Sequence, residues 1–124
     1  MENLIVDKTK VTPQVSFDAA TGIMEIAGES YPENSMQFYQ PVFKWLQEFF
    51  SSEPGSATFN FKLEYFNTSS SKCILNILEI LEDAHSEGHT IELNWYYRED
   101  DDDMLESGQE FCEDMTLPFK FISY

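Results

Sequence analysis

"SATFNFKLEYFNTSSSKCILNILEILEDAHSEG", residues 56–88, changes its period halfway along. In the first half Phe59, Phe61, Leu63 and Tyr65 fall on one face and Asn60, Lys62 and Glu64 on the other, the two-residue repeat of a strand. Four consecutive hydroxyls follow, Thr68 to Ser71. Beyond them Ile74, Ile77, Leu78, Leu81 and Ala84 recur at helical spacing, with Glu79, Glu82 and Asp83 opposite and Gly88 placed to end the helix. The next alternating run, "TIELNWYY" at 90–97, is a second strand. A strand joined to the next through a helix usually lies parallel to it with a right-handed crossover, so this stretch predicts an α/β fold.

Reading outward, "YPENSMQFYQPVFKWLQEFFSSEPG" at 31–55 predicts a helix capped by Asn34 or Ser35. Phe38, Val42, Trp45, Leu46 and Phe49 form its apolar stripe, and it should stop before Pro54 and Gly55. Pro41 removes one backbone hydrogen bond, which predicts a bend or a late start. Before it, "TPQVSFDAATGIMEIAGES" at 12–30 reads as a hairpin turning at Asp18 to Gly22. Val15 and Phe17 face the core with Ile23 or Met24 and Ile26. Downstream, "DDDMLESGQEFCEDM" at 101–115 is a third helix opening with acids at its positive end, and "PFKFIS" at 118–123 a final strand. The expected molecule is one domain over 1–124: a mixed sheet of about five strands with an N-terminal hairpin, and about three helices over one or both of its faces.

A chain of 124 residues with 11 Phe, 6 Tyr and 2 Trp builds a core without metal or disulfide help. Its 7 Lys and Arg against 23 Asp and Glu give a net charge of −16, which repels phosphate backbones and anionic lipid alike. Neither nucleic acid nor membrane is an expected partner. The two cysteines, Cys73 and Cys112, are far apart and read as free thiols, buried or half-buried. With no secretion signal at the start and no run of apolar residues long enough to span a membrane, the expected location is the cytoplasm.

"HSEGH" at 85–89 lacks the spacing of a zinc-protease helix, in which Glu follows the first His directly. The acidic run Glu99 to Asp103 lacks the alternate ligand positions and glycine of a calcium loop, and reads as a solvated helix start. No nucleophile elbow, Walker loop or dinucleotide fingerprint occurs, so no catalysis, metal or cofactor is expected. The hydroxyl run stands apart. One hydroxyl suffices to cap a helix, so four are either redundant caps or include a modified one. A helix N-terminus has unpaired N–H donors and about half a positive charge, which stabilises a phosphate of about −2 on Thr68 or Ser69.

"SYPENS" at 30–35, "YFNTSSSK" at 65–72, "ILEILEDAHSEGH" at 77–89, "NWYY" at 94–97 and "EDMTLPFKFI" at 113–122 together resemble the SiaC family of bacterial regulatory phosphoproteins, in order and spacing over nearly the whole chain. The resemblance implies a relative of the STAS domains, the anti-sigma-factor antagonists. In these a hydroxyl at a helix N-terminus is phosphorylated by a partner-switching protein kinase and cleared by a metal-dependent phosphatase. It places the modified residue on Thr68. It further implies that the unphosphorylated form binds and activates a target, a diguanylate cyclase where the family is best understood, and that phosphorylation releases it. Motif density groups Tyr31, Glu33, Asn34 and Ser35 with Asn67, Ser69 and Ser70 as a partner-binding surface around Thr68, although Pro32 and Asn34 also suit a plain turn and cap. Rival readings are a small-molecule sensor, since some STAS relatives carry ligands, and a purely structural subunit.

Overall fold

The computed structural model describes residues 1–52 and 55–124. Its elements are β1 (Leu4–Val6), β2 (Gln14–Asp18), β3 (Ile23–Ser30), α1 (Ser35–Ser52), β4 (Ser56–Phe66), α2 (Thr68–Ser86), β5 (Thr90–Tyr97), α3 (Asp102–Glu113) and β6 (Phe119–Ser123). The six strands lie in chain order across one mixed sheet. β1 with β2 and β2 with β3 are antiparallel, whereas β3 with β4, β4 with β5 and β5 with β6 are parallel through the three helices.

The fold is thus the expected α/β one, with a sixth strand added at the N-terminal edge. β1 has only three residues, too few to show an alternation, and it is held by its pairing with β2 and by the Trp45 indole donating to the Glu2 carbonyl at 2.8 Å. The hairpin turns where expected, with Gly22 at φ 72°. A side chain there would also approach the Ser56 carbonyl to 2.7 Å. Of the alternatives on β3, Met24 is fully buried and Ile23 is half exposed.

Because the strands progress in one direction, right-handed crossovers put successive helices on the same face. Val15, Phe17, Met24, Ile26, Phe59, Phe61, Leu63, Ile91, Leu93 and Trp95 make the sheet's buried side. α1 meets it where Trp45 lies 5.1 Å from Phe17, and α3 where Phe111 lies 5.7 Å from Trp95. The other face carries a polar row from strand to strand, Ser16, Glu25, Asn60, Asn94 and Lys120.

Two expectations change. α1 begins at Ser35 and continues through Pro41, so the late start is not observed, and Pro54, one of its two expected stops, lies outside the described residues. Tyr65 was expected on the core face but is 52% exposed. The cause is a bulge: pairing jumps from Gly28 with Leu63 to Glu29 with Tyr65, leaving Glu64 as the extra residue. Gly28, at φ 112°, takes the backbone conformation this irregularity needs. Beyond it the alternation inverts, and Phe66 turns inward to lie 6.5 Å from Trp95.

Candidate functional site at two helix N-termini

The bulge delivers the end of β4 into α2 beside the start of α1. Asn67 keeps extended backbone (φ −88°, ψ 179°), and its side-chain oxygen accepts the Ser70 amide at 2.9 Å, so Asn67 caps α2. This corrects the capping role considered for Thr68 and Ser69, which are the first two helical residues. Asn34 does the same for α1, accepting the Gln37 amide at 3.0 Å. The Asn67 amide donates to the Ser30 carbonyl at 3.1 Å, which joins the α2 start to the end of β3. The site therefore lies at the C-terminal ends of two parallel strands, where open α/β sheets place their ligands.

Beneath the surface a file of hydroxyls connects the two helix starts. Tyr39 Oη is 2.7 Å from Ser30 Oγ, Ser30 Oγ is 2.8 Å from Ser70 Oγ, and Ser70 Oγ is 3.3 Å from Ser35 Oγ. Ser35 Oγ in turn is 2.8 Å from Ser69 Oγ, which donates to Asn67 Oδ1 at 3.1 Å. Burial pushes the Tyr39 phenol up to about 12, against a smaller opposing effect from Ser30. Ser71 Oγ donates to the Thr68 carbonyl at 2.7 Å. Thr68 is exposed, and its hydroxyl bonds to no described residue.

The sequence grouping is thus sorted by depth. Glu33, Asn34, Thr68 and Ser69 are exposed, Tyr31 and Asn67 half-buried, and Tyr31 lies edge to face with Tyr65 at 5.8 Å. Ser70 (0% exposed) and Ser35 (4%) are buried, so the direct partner contact considered for them is corrected: they hold the site from below. Ser30 and Tyr39 were missed as site residues. Ser30 stood inside the quoted "SYPENS", but the serine–serine contacts that join the two helix starts span 34 to 40 residues, where local pattern carries no signal.

Thr68 sits on the wall of a groove of about 430 Å³ between α2 and α3, with Phe66, Leu75 and Phe111 as apolar lining and Glu110 and Asp114 as acidic lining. On the opposite, helix-free face a second groove of about 460 Å³ is lined by Lys8, Gln14, Lys62, Glu64, Tyr96 and Tyr124. Among the described residues no three His, Cys, Asp or Glu side chains gather to hold a metal. Gly88 at φ 105° follows the end of α2, and His89, beyond it, accepts the Gly55 amide through Nδ1 at 3.3 Å. Cys73 is buried and Cys112 half-buried, both free. No helix among the described residues is long and apolar enough to cross a membrane.

Glu82, placed by its spacing on the face opposite the apolar stripe, ties α2 to the segment before β6. It accepts the Thr116 amide (2.9 Å), the Thr116 hydroxyl (2.7 Å) and the Leu117 amide (2.8 Å). These bonds, the Thr116 amide foremost, hold its carboxyl below the ordinary range.

Comparison with known proteins agrees with the fold. The structure of apo-SiaC from Pseudomonas aeruginosa superimposes with a TM-score of 0.92 at 34% identity, covering 98% of this chain and 99% of that one. A chain in the structure of the P. aeruginosa diguanylate cyclase SiaD in complex with its activator SiaC gives a TM-score of 0.94 at 33% identity, with 98% and 99% covered. An uncharacterised protein of P. aeruginosa strain UCBPP-PA14 is 34% identical over 119 residues, 96% of this chain and 94% of its own. With residues 6–124 matching the family model as well, the chain belongs to the SiaC family of regulatory phosphoproteins.

Proposed function

We propose that this chain is a non-catalytic binding switch whose state is set by phosphate on Thr68. The observation that carries the reading is the contrast within the hydroxyl run: Thr68 alone is exposed and uncommitted, on the first turn of a helix whose cap is supplied by Asn67. A protein kinase of the partner-switching type adds the phosphate and a metal-dependent phosphatase removes it. The unphosphorylated form binds and activates a target, by analogy with the SiaD–SiaC complex a diguanylate cyclase.

The groove beside Thr68 supports a physical account of release. Its apolar lining suits an apolar anchor from the partner, and Glu110 and Asp114 suit a cation beside it. A phosphate on Thr68 adds about −2 next to these carboxylates and obliges any partner in the groove to desolvate a dianion. A differential of a few kcal/mol is enough to empty the complex. Phosphosite mapping on protein from its native cells, paired with affinity measurements on the diguanylate cyclases of the same genome, tests the reading. Thr68→Ala should stay bound and Thr68→Asp should lose about a hundredfold in affinity, or about 3 kcal/mol. Equal affinity of the two variants, or full coverage of the peptide without phosphate under every growth condition, removes it.

A further inference from the structure

Proton counting gives the surface end of the hydroxyl file a direction. Asn67 Oδ1 accepts the Ser70 amide, which identifies it as the carbonyl oxygen, an acceptor only. Ser69 therefore donates to it. A serine hydroxyl has one proton, so Ser35 must be the donor in its 2.8 Å contact with Ser69. Deeper in the file the count stops, because the Ser70–Ser35 contact of 3.3 Å is long for a hydroxyl pair and the contacts of Ser30 with Ser70 and Tyr39 accept either direction. The protons of Ser35 and Ser69 both point toward Asn67. Of the four adjacent hydroxyls, Ser70 is buried, Ser71 is spent on the Thr68 carbonyl, and Ser69, though exposed, has its proton and a lone pair both engaged.

We infer that these two directed bonds select the phosphoacceptor, with Ser35 and Asn67 as positioning residues that hold Ser69 back and leave Thr68 as the hydroxyl a kinase can use. The inference rests on the phosphorylation reading above and adds what decides the site. Transfer from a nucleoside triphosphate forms an O–P bond at the acceptor oxygen, breaks the bond to the leaving diphosphate and passes the hydroxyl proton to a base of the kinase. Thr68 can offer that proton at once, whereas Ser69 must first leave Asn67 and Ser35.

The test is site-resolved mass spectrometry of the variants made in native cells. Trypsin cleaves after Lys62 and Lys72, so one peptide, "LEYFNTSSSK", holds all four hydroxyls. Ser35→Ala should raise the Ser69-to-Thr68 phosphate ratio about tenfold, the factor associated with one freed hydrogen bond. Tyr39→Phe is the control for general loosening: it removes the phenol hydroxyl at the buried end but leaves Ser35 and Ser69 donating as before, so the ratio should not move. In a Thr68→Ala background, Ser69 phosphate should appear only when Ser35→Ala is added. An unchanged ratio in Ser35→Ala, or an equal change in Tyr39→Phe, overturns the inference while leaving the switch intact. Wild-type protein without phosphate on Thr68 removes the switch itself, and the inference with it.

Discussion

The starts of α2 and α3 solve the same problem with opposite chemistry. Both are capped by a side-chain oxygen that takes the amide three residues on, Asn67 to Ser70 at 2.9 Å and Asp101 to Met104 at 3.0 Å. At α3 the cap is itself an acid, and Asp102 and Asp103 stand in the first turn. At α2 the cap is neutral and the first turn contains no acid, as is also true of α1. In a chain with 23 acidic residues this is a meaningful asymmetry. The positive end of α3 is answered permanently by its own sequence, whereas that of α2 has no acid of its own, which suits the added charge proposed for Thr68.

The comparison can be broken at several points. The largest effect is expected at α3, where Gly108 lies so close to the sheet that a methyl group would stand 2.6 Å from the Trp95 ring. Trp95 is fully buried among Phe61, Phe66 and Phe111 and has no room to retreat. Gly108→Ala should therefore cost about 1–3 kcal/mol in a denaturant melt, despite alanine's better helix propensity. A neutral or stabilising result would mean that α3 sits more loosely on the sheet than α2 does.

Next come the caps. Asn67→Ala and Asp101→Ala should each lose about 1 kcal/mol, Asn67 the more because Ser69 also loses its acceptor. Asp101 lies within the acidic run, so the cost of its removal should vary with salt, and that of Asn67 should not. Identical salt dependence would erase the distinction between a charged and a neutral helix start.

A smaller, pH-dependent effect belongs to Glu82, which links the far half of α2 to the end of the α3 segment. Its folded carboxyl titrates below its unfolded value, so its contribution is present above the unfolded value and is lost as pH falls through the folded one. Glu82→Gln should reduce stability near neutrality by less than about 1 kcal/mol, since the group is solvent-accessible. The gap to wild type should close on the acid side, below the ordinary carboxylate range. A gap that persists in acid would assign the loss to shape rather than charge. Smallest of all is Thr68→Ala: with the cap supplied by Asn67, stability should stay within about 0.5 kcal/mol of wild type.

The strands and helices that decide the fold could be read from the chain because β4 and α2 carry long, opposite periods. The bulge at Gly28 could not, since it exists only in the pairing of β3 with β4, and it is what turns Tyr65 outward and Phe66 inward. Thr68 stood out among its neighbours by resemblance, yet its isolation among engaged hydroxyls depends on Ser30, Ser35 and Tyr39, brought in from another part of the sequence. Asn67, grouped from sequence with the partner-binding residues, carried a local signal that was passed over: it is a strong capping residue set where the strand alternation ends.

The order of strands also bears on how the molecule is made. In a sheet laid down in chain order, each strand pairs with the one synthesised just before it, so no segment waits for a distant partner and no connection threads past another. Emerging from the ribosome, the chain can extend its sheet one edge at a time. Every residue of the hydroxyl file, and Thr68 beside it, has been made before α3 and the last strand emerge.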